Sequence, residues 1–293
     1  MIPKKRCAGK LRTACPICDL PSEESTLESP NHHLCPSCLV VYRKMVPRVA
    51  AEEGWDEIYY SDDSVMNYYL KRYSGFRKMV DMMACCLRER GKWLDVGCGV
   101  GALLQVAHEQ GWKVYGIEPS HICVEEARKR MKYARIVHGT IEERSMEFTG
   151  FTVVSFTDML RFVEHPGMIL RLAFTTLGYG GWVFIREINA NFRCKDRAKE
   201  NAGVAVASTE AWQQWTPRAL EKALLWAGFR NVHSIPSPVF VETTEYEHGS
   251  SAGLTRGVKK LMKIGIWPMS RMIHMVSRGR AYVGPNFITL GQK

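Results

Sequence analysis

Two cysteine pairs, Cys15-Pro16-Ile17-Cys18 and Cys35-Pro36-Ser37-Cys38, stand sixteen residues apart near the start of the chain. Each pair presents two thiolates from one tight turn, and a hairpin between them would bring the four together. That pattern predicts a tetrahedral structural Zn2+ site with Cys15, Cys18, Cys35 and Cys38 as ligands. Four thiolates close the coordination shell, so the metal would stabilise rather than catalyse. Its contribution would be on the order of 10 kcal/mol to a piece too small for its own core. His32 and His33 lie inside the hairpin and could replace a cysteine, although exposed loop residues are the simpler reading.

A second stretch with chemical potential is Trp93-Leu94-Asp95-Val96-Gly97-Cys98-Gly99-Val100-Gly101, an apolar strand running into alternating glycines, with the helical pattern A-L-L-Q-V-A-H-E-Q behind it. Strand, glycine turn and helix form the first unit of a doubly wound α/β sheet, which binds nucleotide-like ligands where the turn opens at the carboxyl edge. Gly97, Gly99 and Gly101 permit positive φ and remove the Cβ atoms that would keep a ligand from the backbone. Ala102 also completes G-x-G-x-x-A, so the turn alone is compatible with NAD or FAD. Glu118 closes the next strand nineteen residues after Gly99. There an acid can accept both hydroxyls of a ribose.

The elements that must position these residues follow from periodicity and punctuation. Residues 76–90 have helical spacing up to Gly91, with Cys85 and Cys86 expected on a buried face. Strands are expected at Lys113–Ile117, Ala134–His138, Phe151–Phe156, Trp182–Ile188 after the Gly180-Gly181 turn, Phe229–Ile235 and Asn286–Leu290. Ser120 caps one helix, another spans Pro166–Leu177, and Thr216-Pro217 opens a third through Leu225. Residues 190–211 read as irregular. Tyr59, Tyr60, Tyr68, Tyr69 and Tyr73 make residues 51–75 too aromatic for a solvated linker; they would pack against the main domain, or one or two would close over the ligand.

At 293 residues and 46% hydrophobic, the chain can bury one full α/β core plus a small module. The charged N-terminus has no apolar region behind it, and no apolar run reaches the roughly 18 residues of a membrane span, so a cytoplasmic location is expected. The net charge of +10 is concentrated at the ends. Residues 1–12 carry +5 and residues 248–293 carry +8, neither with an acid, leaving residues 13–247 at −3. Two local basic patches, not an even basic skin, set the pI.

These residues resemble the class I S-adenosylmethionine-dependent methyltransferases, specifically a bacterial subgroup with an N-terminal zinc ribbon associated with saccharide and secondary-metabolite biosynthesis. The likeness covers nearly the whole chain. L-D-V-G-C-G-V-G is similar to the family's first motif and G-W-K-V-Y-G-I-E-P-S to its second. W-D-E-I-Y-Y resembles its aromatic segment, L-G-Y-G-G its L-K-P-G-G turn, T-P-R-A-L-E-K-A-L-L-W-A-G-F its late helix and P-N-F-I-T-L-G-Q-K its closing strand. Together these ordered matches decide against a dinucleotide dehydrogenase. The resemblance implies a Rossmann-like seven-stranded methyltransferase sheet, last strand antiparallel, with a small zinc ribbon. It implies S-adenosyl-L-methionine held by Asp95, Gly97, Cys98, Gly99, Gly101, Glu118, Pro119, Thr140, Ile141, Glu142, Phe156 and Tyr60, with Asp95 orienting the methionine part. Its domains would be the ribbon (1–45), aromatic linker and first helix (46–90), core (91–249), a basic amphipathic insertion over the pocket (250–282) and the closing strand (283–293).

The family's D-V-L-E-H is here Asp158-Met159-Leu160-Arg161-Phe162, with Glu164-His165 three residues late, and its H-L-Y-Y-F is Ala211-Trp212-Gln213-Gln214-Trp215. The usual Glu-His base is therefore missing. Asp158, His165, Glu187 and Asn189, near the ends of the fourth and fifth strands, are the catalytic candidates. Arg161 could hold an acidic group of the acceptor, or simply sit exposed at a helix start. Residues 250–282 leave and return at the active-site edge. Val258, Leu261, Met262, Met269, Met272, Ile273 and Val276 recur there at helical spacing among basic residues, with Pro268 splitting the run into two helices that would form a lid packed on its own domain, lie on an anionic membrane surface or bind nucleic acid. The expected acceptor is a small molecule: a sugar, lipid-linked saccharide or related metabolite. The alternatives are a zinc-ribbon rRNA guanine methyltransferase, which the net-negative body disfavours, and a non-catalytic cofactor-fold partner.

Overall fold

The computed structural model describes residues 10–27, 29–46, 75–85, 87, 89–191, 211–237, 268–269, 271–277 and 284–293. The aromatic stretch with Tyr60, and residues 250–267 and 278–282 of the basic segment, lie outside these. The ribbon contains β1 (Lys10–Leu11), β2 (His32–Leu34), β3 (Val41–Arg43) and β4 (Met45–Val46). β1 pairs with β4 and β2 with β3, both antiparallel.

The main domain opens with helix α1 (75–85) and alternates β5 (Lys92–Val96), α2 (Ala102–Glu109), β6 (Lys113–Glu118), α3 (His121–Arg130), β7 (Arg135–His138), α4 (Ile141–Arg144), β8 (Phe151–Thr157), α5 (Pro166–Thr176) and β9 (Leu177–Ile188). A two-residue strand, β10 (Gln213–Gln214), then precedes α6 (Pro217–Trp226), β11 (Arg230–Pro236) and β12 (Asn286–Gln292). The seven-stranded sheet has the order β11-β12-β9-β8-β5-β6-β7. β5 to β9 are mutually parallel, and β12 runs antiparallel between β9 and β11. The chain order turns back between β5 and β8, which opens a crevice at the carboxyl edge of both strands. No helix among the described residues is long and apolar enough to cross a membrane.

Period-two alternation explains how the sheet is covered. From β5, Leu94 and Val96 enter one core with Phe156, Leu170, Leu220 and Phe287, while Trp93 enters another with Met79, Met83, Leu103, Trp112 and Phe184. Trp93 meets Trp112 edge-on at a centroid distance of 5.0 Å. The first core continues into the ribbon through Cys15, Ile17, Cys38 and Tyr42, so the ribbon shares the interior of the main domain. Its two knuckles are docked separately: the Pro16 carbonyl accepts from the Gly167 amide at 3.1 Å, and the Ser37 carbonyl accepts from Lys222 Nζ at 2.6 Å. A Cβ on Gly167 would stand 2.9 Å from the Pro16 and Ile17 carbonyl oxygens, so only glycine permits this approach.

Several boundaries differ from expectation for identifiable reasons. The first helix has ended by residue 87, short of the expected 90, and Arg90 Nη1 reaches back to the carbonyls of Ala84 at 3.4 Å and Leu87 at 3.5 Å. Cys85 is exposed, not buried. The helix buries Phe76, Met79, Val80 and Met83, spaced by three and four, and Cys85 falls off that stripe. The fifth strand of the main sheet, β9, begins at Leu177, not Trp182, because Gly178, Gly180 and Gly181 carry the strand across a register shift opposite Phe151 and Val153. β10 was not expected at all. It pairs with β3 and makes a third strand of the ribbon sheet.

Candidate functional site

All five parallel strands deliver their following loops to one edge, and the glycine turn lies at its centre. Gly97, Gly99 and Gly101 have φ of 70°, 53° and 81°, left-handed values that favour glycine. The amides of Gly97 and Cys98 donate to the Ile117 carbonyl at 2.8 and 3.2 Å. The Gly99 amide donates to Glu118 Oε2 at 2.7 Å, while Glu118 Oε1 accepts from the Ser120 amide at 2.9 Å. Glu118 therefore shapes the turn as well as facing the crevice. Ser120 caps α3 by accepting from the Cys123 amide at 3.2 Å.

Asp95, two residues before Gly97, is 2% exposed. Trp93 Nε1 donates to Ser155 Oγ at 2.8 Å, and Ser155 Oγ donates to Asp95 Oδ1 at 2.6 Å. β5 and β8 are thus bonded through side chains as well as backbone. Burial pushes the Asp95 carboxyl up to about 7, the nearby Glu118 carboxylate adds to the shift, and the Ser155 hydrogen bond opposes it. Ser155 is a residue that the sequence reading missed, although it is one of only two polar side chains in Phe151–Phe156, with Thr152.

At the ends of β8 and β9, four charged side chains form one network. Asp158 has φ of 60°. Its amide donates to the Arg186 carbonyl at 2.9 Å, and its Oδ2 accepts from Arg186 Nη1. Arg161 Nη1 donates to Glu187 Oε2 at 2.9 Å and lies 3.5 Å from Asp158 Oδ1; the Arg161 amide lies 3.3 Å from Glu187 Oε1. Burial drives the Glu187 carboxyl up, with Arg161 opposing; it drives the Arg186 guanidinium down, with Asp158 opposing. Arg186, fully buried, was also missed, and the Arg-Glu pair inside an apolar strand was its signal. Asn189 holds the start of β12, its Nδ2 donating to the Gly284 carbonyl at 3.0 Å and its amide to the Pro285 carbonyl at 2.9 Å.

The remaining sequence candidates divide in location. Cys98 is buried in the turn, and burial raises its thiol well above the ordinary value. The Pro119 carbonyl lies 3.0 Å from His138 Nε2, Thr140 opens α4 in a capping box with Glu143, Ile141 is buried and Glu142 is exposed. Phe156 is wholly buried beneath the sheet edge. His165 is not brought to the quartet: its side chain is 55% exposed, 3.4 Å from Glu164, which also takes Lys10 of the ribbon.

The four ribbon cysteines converge, their sulfurs all within 4.8 Å of one another. Cys15 and Cys38 stand 3.3 Å apart, Cys18 and Cys35 3.6 Å, and Cys18 and Cys38 3.7 Å. Sulfurs bound tetrahedrally at about 2.3 Å would be about 3.8 Å apart, so the set fits such an ion. Both knuckles have the same backbone plan, with Asp19 and Leu39 left-handed at φ of 58° and 62°. The hydrogen bond to Cys38 lowers the Cys15 thiol to about 6, whereas burial raises Cys18 to about 11. Sulfurs so crowded can all ionise only around a cation. Among the described residues the metal set is these four sulfurs, while His33 packs against Tyr42.

The raised Asp95 carboxyl has a consequence for stability. Between about 4 and about 7 the folded chain binds a proton there that the unfolded chain releases, so this group's contribution falls as pH rises. Asp95→Asn should therefore gain stability relative to the parent from pH 5 to pH 8, read as the difference in urea midpoints; no change in that difference would contradict the burial effect.

Residues 68–234 match a family model described as a methyltransferase domain, a span covering more than half of the chain. The ubiquinone biosynthesis O-methyltransferase of Bordetella avium (strain 197N) is 32% identical over 111 residues, 33% of this chain and 43% of that protein. The protein of the same name from Pseudomonas aeruginosa (strain LESB58) is 32% identical over 108 residues, 34% of this chain and 45% of that one. The chain thus spans under half the length of these curated relatives. Phosphoethanolamine N-methyltransferase 2 of Haemonchus contortus, solved with S-adenosyl-L-methionine, aligns with a TM-score of 0.53 at 13% identity, covering 86% of this chain and 62% of that one, a likeness of fold. With its switch-point glycine turn, its antiparallel last strand and the family match, the chain belongs to the methyltransferase-domain family and has the class I S-adenosylmethionine-dependent methyltransferase fold.

Proposed function

We propose that the chain transfers a methyl group from S-adenosyl-L-methionine to a small-molecule acceptor. The observation that carries this reading is the pairing of Glu118 with the Gly99 amide at the switch point, with Asp95 buried beside it. In this reading Glu118 accepts the ribose hydroxyls, and Asp95 faces the amino group of the methionine part. Gly97, Cys98, Gly99 and Gly101 line the close approach, and Pro119, Thr140, Ile141, Glu142 and Phe156 are assigned to the rest; Tyr60, outside the described residues, joins them on the family resemblance alone. The cofactor supplies a methyl on a sulfonium with a good leaving group already installed. Alignment by the protein can then contribute as much as about 7 to 11 kcal/mol.

Asp158, Glu187 and Asn189 form the acceptor side of this proposal, with His165 a more distant candidate beside the ribbon. Asp158 and Glu187 are each engaged by a guanidinium, so using either as a base would mean displacing an ion pair. That favours an acceptor whose nucleophile needs no strong base. The two curated relatives named above act in ubiquinone biosynthesis and the structural neighbour is a phosphoethanolamine N-methyltransferase, which supports a metabolite over a macromolecule. The saccharide resemblance narrows this to a sugar, lipid-linked saccharide or related metabolite. The cysteine cluster is read as a structural Zn2+ site, because four thiolates from two knuckles suit that tetrahedral ion and leave no open position.

A membrane-surface reading has its own observation. Residues 268–269 and 271–276 are helical. Met269, Met272, Met275 and Val276 fall within an arc of about 120°, yet are 45%, 56%, 72% and 79% exposed. An apolar arc turned to solvent within a segment carrying +8 and no acid suits an anionic leaflet better than a lid packed on its own domain. The chain is then a cytoplasmic protein that meets a lipid-borne acceptor at the membrane face.

Two measurements test these readings. Calorimetry should show S-adenosyl-L-methionine binding between about 1 μM and 1 mM. Affinity should fall as pH drops below about 7, where Asp95 protonates, and should fall at least about tenfold in Glu118→Gln, the loss of roughly one good hydrogen bond to a charged group. No binding at millimolar cofactor would remove the enzyme reading. For the membrane, the intact chain should float with phosphatidylglycerol vesicles at low salt and not with neutral ones, and Met272→Asp/Met275→Asp should abolish flotation; equal recovery of parent and variant would refute the surface.

A further inference from the structure

We infer that strand β10 and Trp212 couple metal occupancy of the ribbon to the placement of Arg161 and Glu187, so that the ribbon is a structural part of the acceptor-side wall. The connection is continuous and short. The second knuckle sets where β3 begins: the Leu39 amide donates to the Cys35 carbonyl at 2.9 Å, the Cys35 amide to the Val40 carbonyl at 3.1 Å, and β3 starts at the next residue. β3 then pairs with β10, Val41 opposite Gln214 and Tyr42 opposite Gln213. The Arg43 amide donates to the Trp212 carbonyl at 2.9 Å, and the Trp212 amide donates to the Arg161 carbonyl at 2.7 Å. One residue is thereby tied on both sides of its backbone, to the ribbon and to the loop after β8. Gln213 Nε2 adds a bond to the Val163 carbonyl at 2.8 Å.

What this loop holds gives the connection its consequence. Arg161 faces Glu187 with both its amide and its guanidinium, and shares its charge with Asp158. A shift of the Arg161 backbone therefore moves its contacts to both carboxylates. The ribbon itself is a short-stranded piece whose four sulfurs converge, and without a cation only weak contacts hold them, to one another and to knuckle amides such as that of Cys38, 3.4 Å from Cys35 Sγ. A metal-free second knuckle loses the constraint on Leu39 and Val40, and with it the register of β3 against β10. The glycine turn is held differently, by Ile117 and Glu118, and Asp95 is held by Ser155. Metal loss should consequently loosen the acceptor side while the cofactor side stays intact. Trp212 is thus a positioning residue acting through Arg161.

The inference rests on the metal reading of the cysteine cluster and is independent of the acceptor's identity. Elemental analysis of the full chain should give one zinc per chain, and a chain purified without any metal would remove the reading itself. Amide hydrogen exchange is then compared before and after removal of zinc by a chelator. Exchange in residues 158–162 and 211–215 should accelerate by roughly tenfold or more, while residues 95–101 stay protected and S-adenosyl-L-methionine affinity stays within about twofold. Acceleration confined to residues 10–46 would overturn the proposal. Should metal removal unfold the whole chain, zinc-loaded Trp212→Pro, which deletes the donor to Arg161, provides the second test. Faster exchange in residues 158–162 with zinc content and cofactor affinity retained supports the coupling; unchanged exchange there overturns it.

Discussion

A parallel sheet sends the carboxyl end of every strand to one edge, and here that edge receives Asp95, Glu118, Asp158, Arg186 and Glu187, all largely withdrawn from water. A charge removed from water must find a partner or change its protonation state. The structure shows both outcomes: Glu118 is satisfied by two backbone amides, the quartet by mutual ion pairs, and Asp95 by a single serine and a raised proton affinity. The local geometry follows from these solutions. The glycine turn takes its shape by donating to Glu118, and Asp158 keeps a left-handed backbone because Arg186 engages both its carboxylate and its amide.

The same constraint separates the edge into two regions with different chemistry. Around β5 and β6 the carboxylates are engaged by backbone amides and a hydroxyl, neutral donors of the kind a ligand rich in hydroxyl and amino groups also offers. Around β8 and β9 they are neutralised by arginine, an arrangement better suited to fixing position than to moving protons. In the proposed reaction this division is economical, since methyl transfer from a sulfonium depends mainly on alignment. The ribbon belongs to the second region. It shares a core with α5 and α6 and contributes the partner strand that anchors Trp212 against the loop after β8.

Much of this was legible in the sequence where one residue type has one physical use. Two C-P-x-C pairs restrict the chemistry enough to be read on their own, whereas three glycines after an apolar strand and an acid closing the next strand fix the site but need the later motifs to fix its ligand. The alternation of β5 and the caps at Ser120 and Thr216 were likewise readable, because local hydrogen bonds create them. What was not legible depends on contacts distant in sequence. β10 is two glutamines that become a strand only because β3, some 170 residues earlier, offers an unpaired edge. Ser155 and Arg186 acquire meaning from Asp95 and Asp158, and Cys85 was misjudged because cysteine's usual burial was allowed to outweigh the helix stripe.

The most direct test of the proposed cofactor site is a crystal structure of the chain with S-adenosylhomocysteine. The product should lie in the crevice between β5 and β8, with both ribose hydroxyls donating to Glu118, the amino group beside Asp95 and the Glu118–Gly99 hydrogen bond preserved. A ligand seated elsewhere, or one in the crevice whose ribose makes no contact with Glu118, would contradict it.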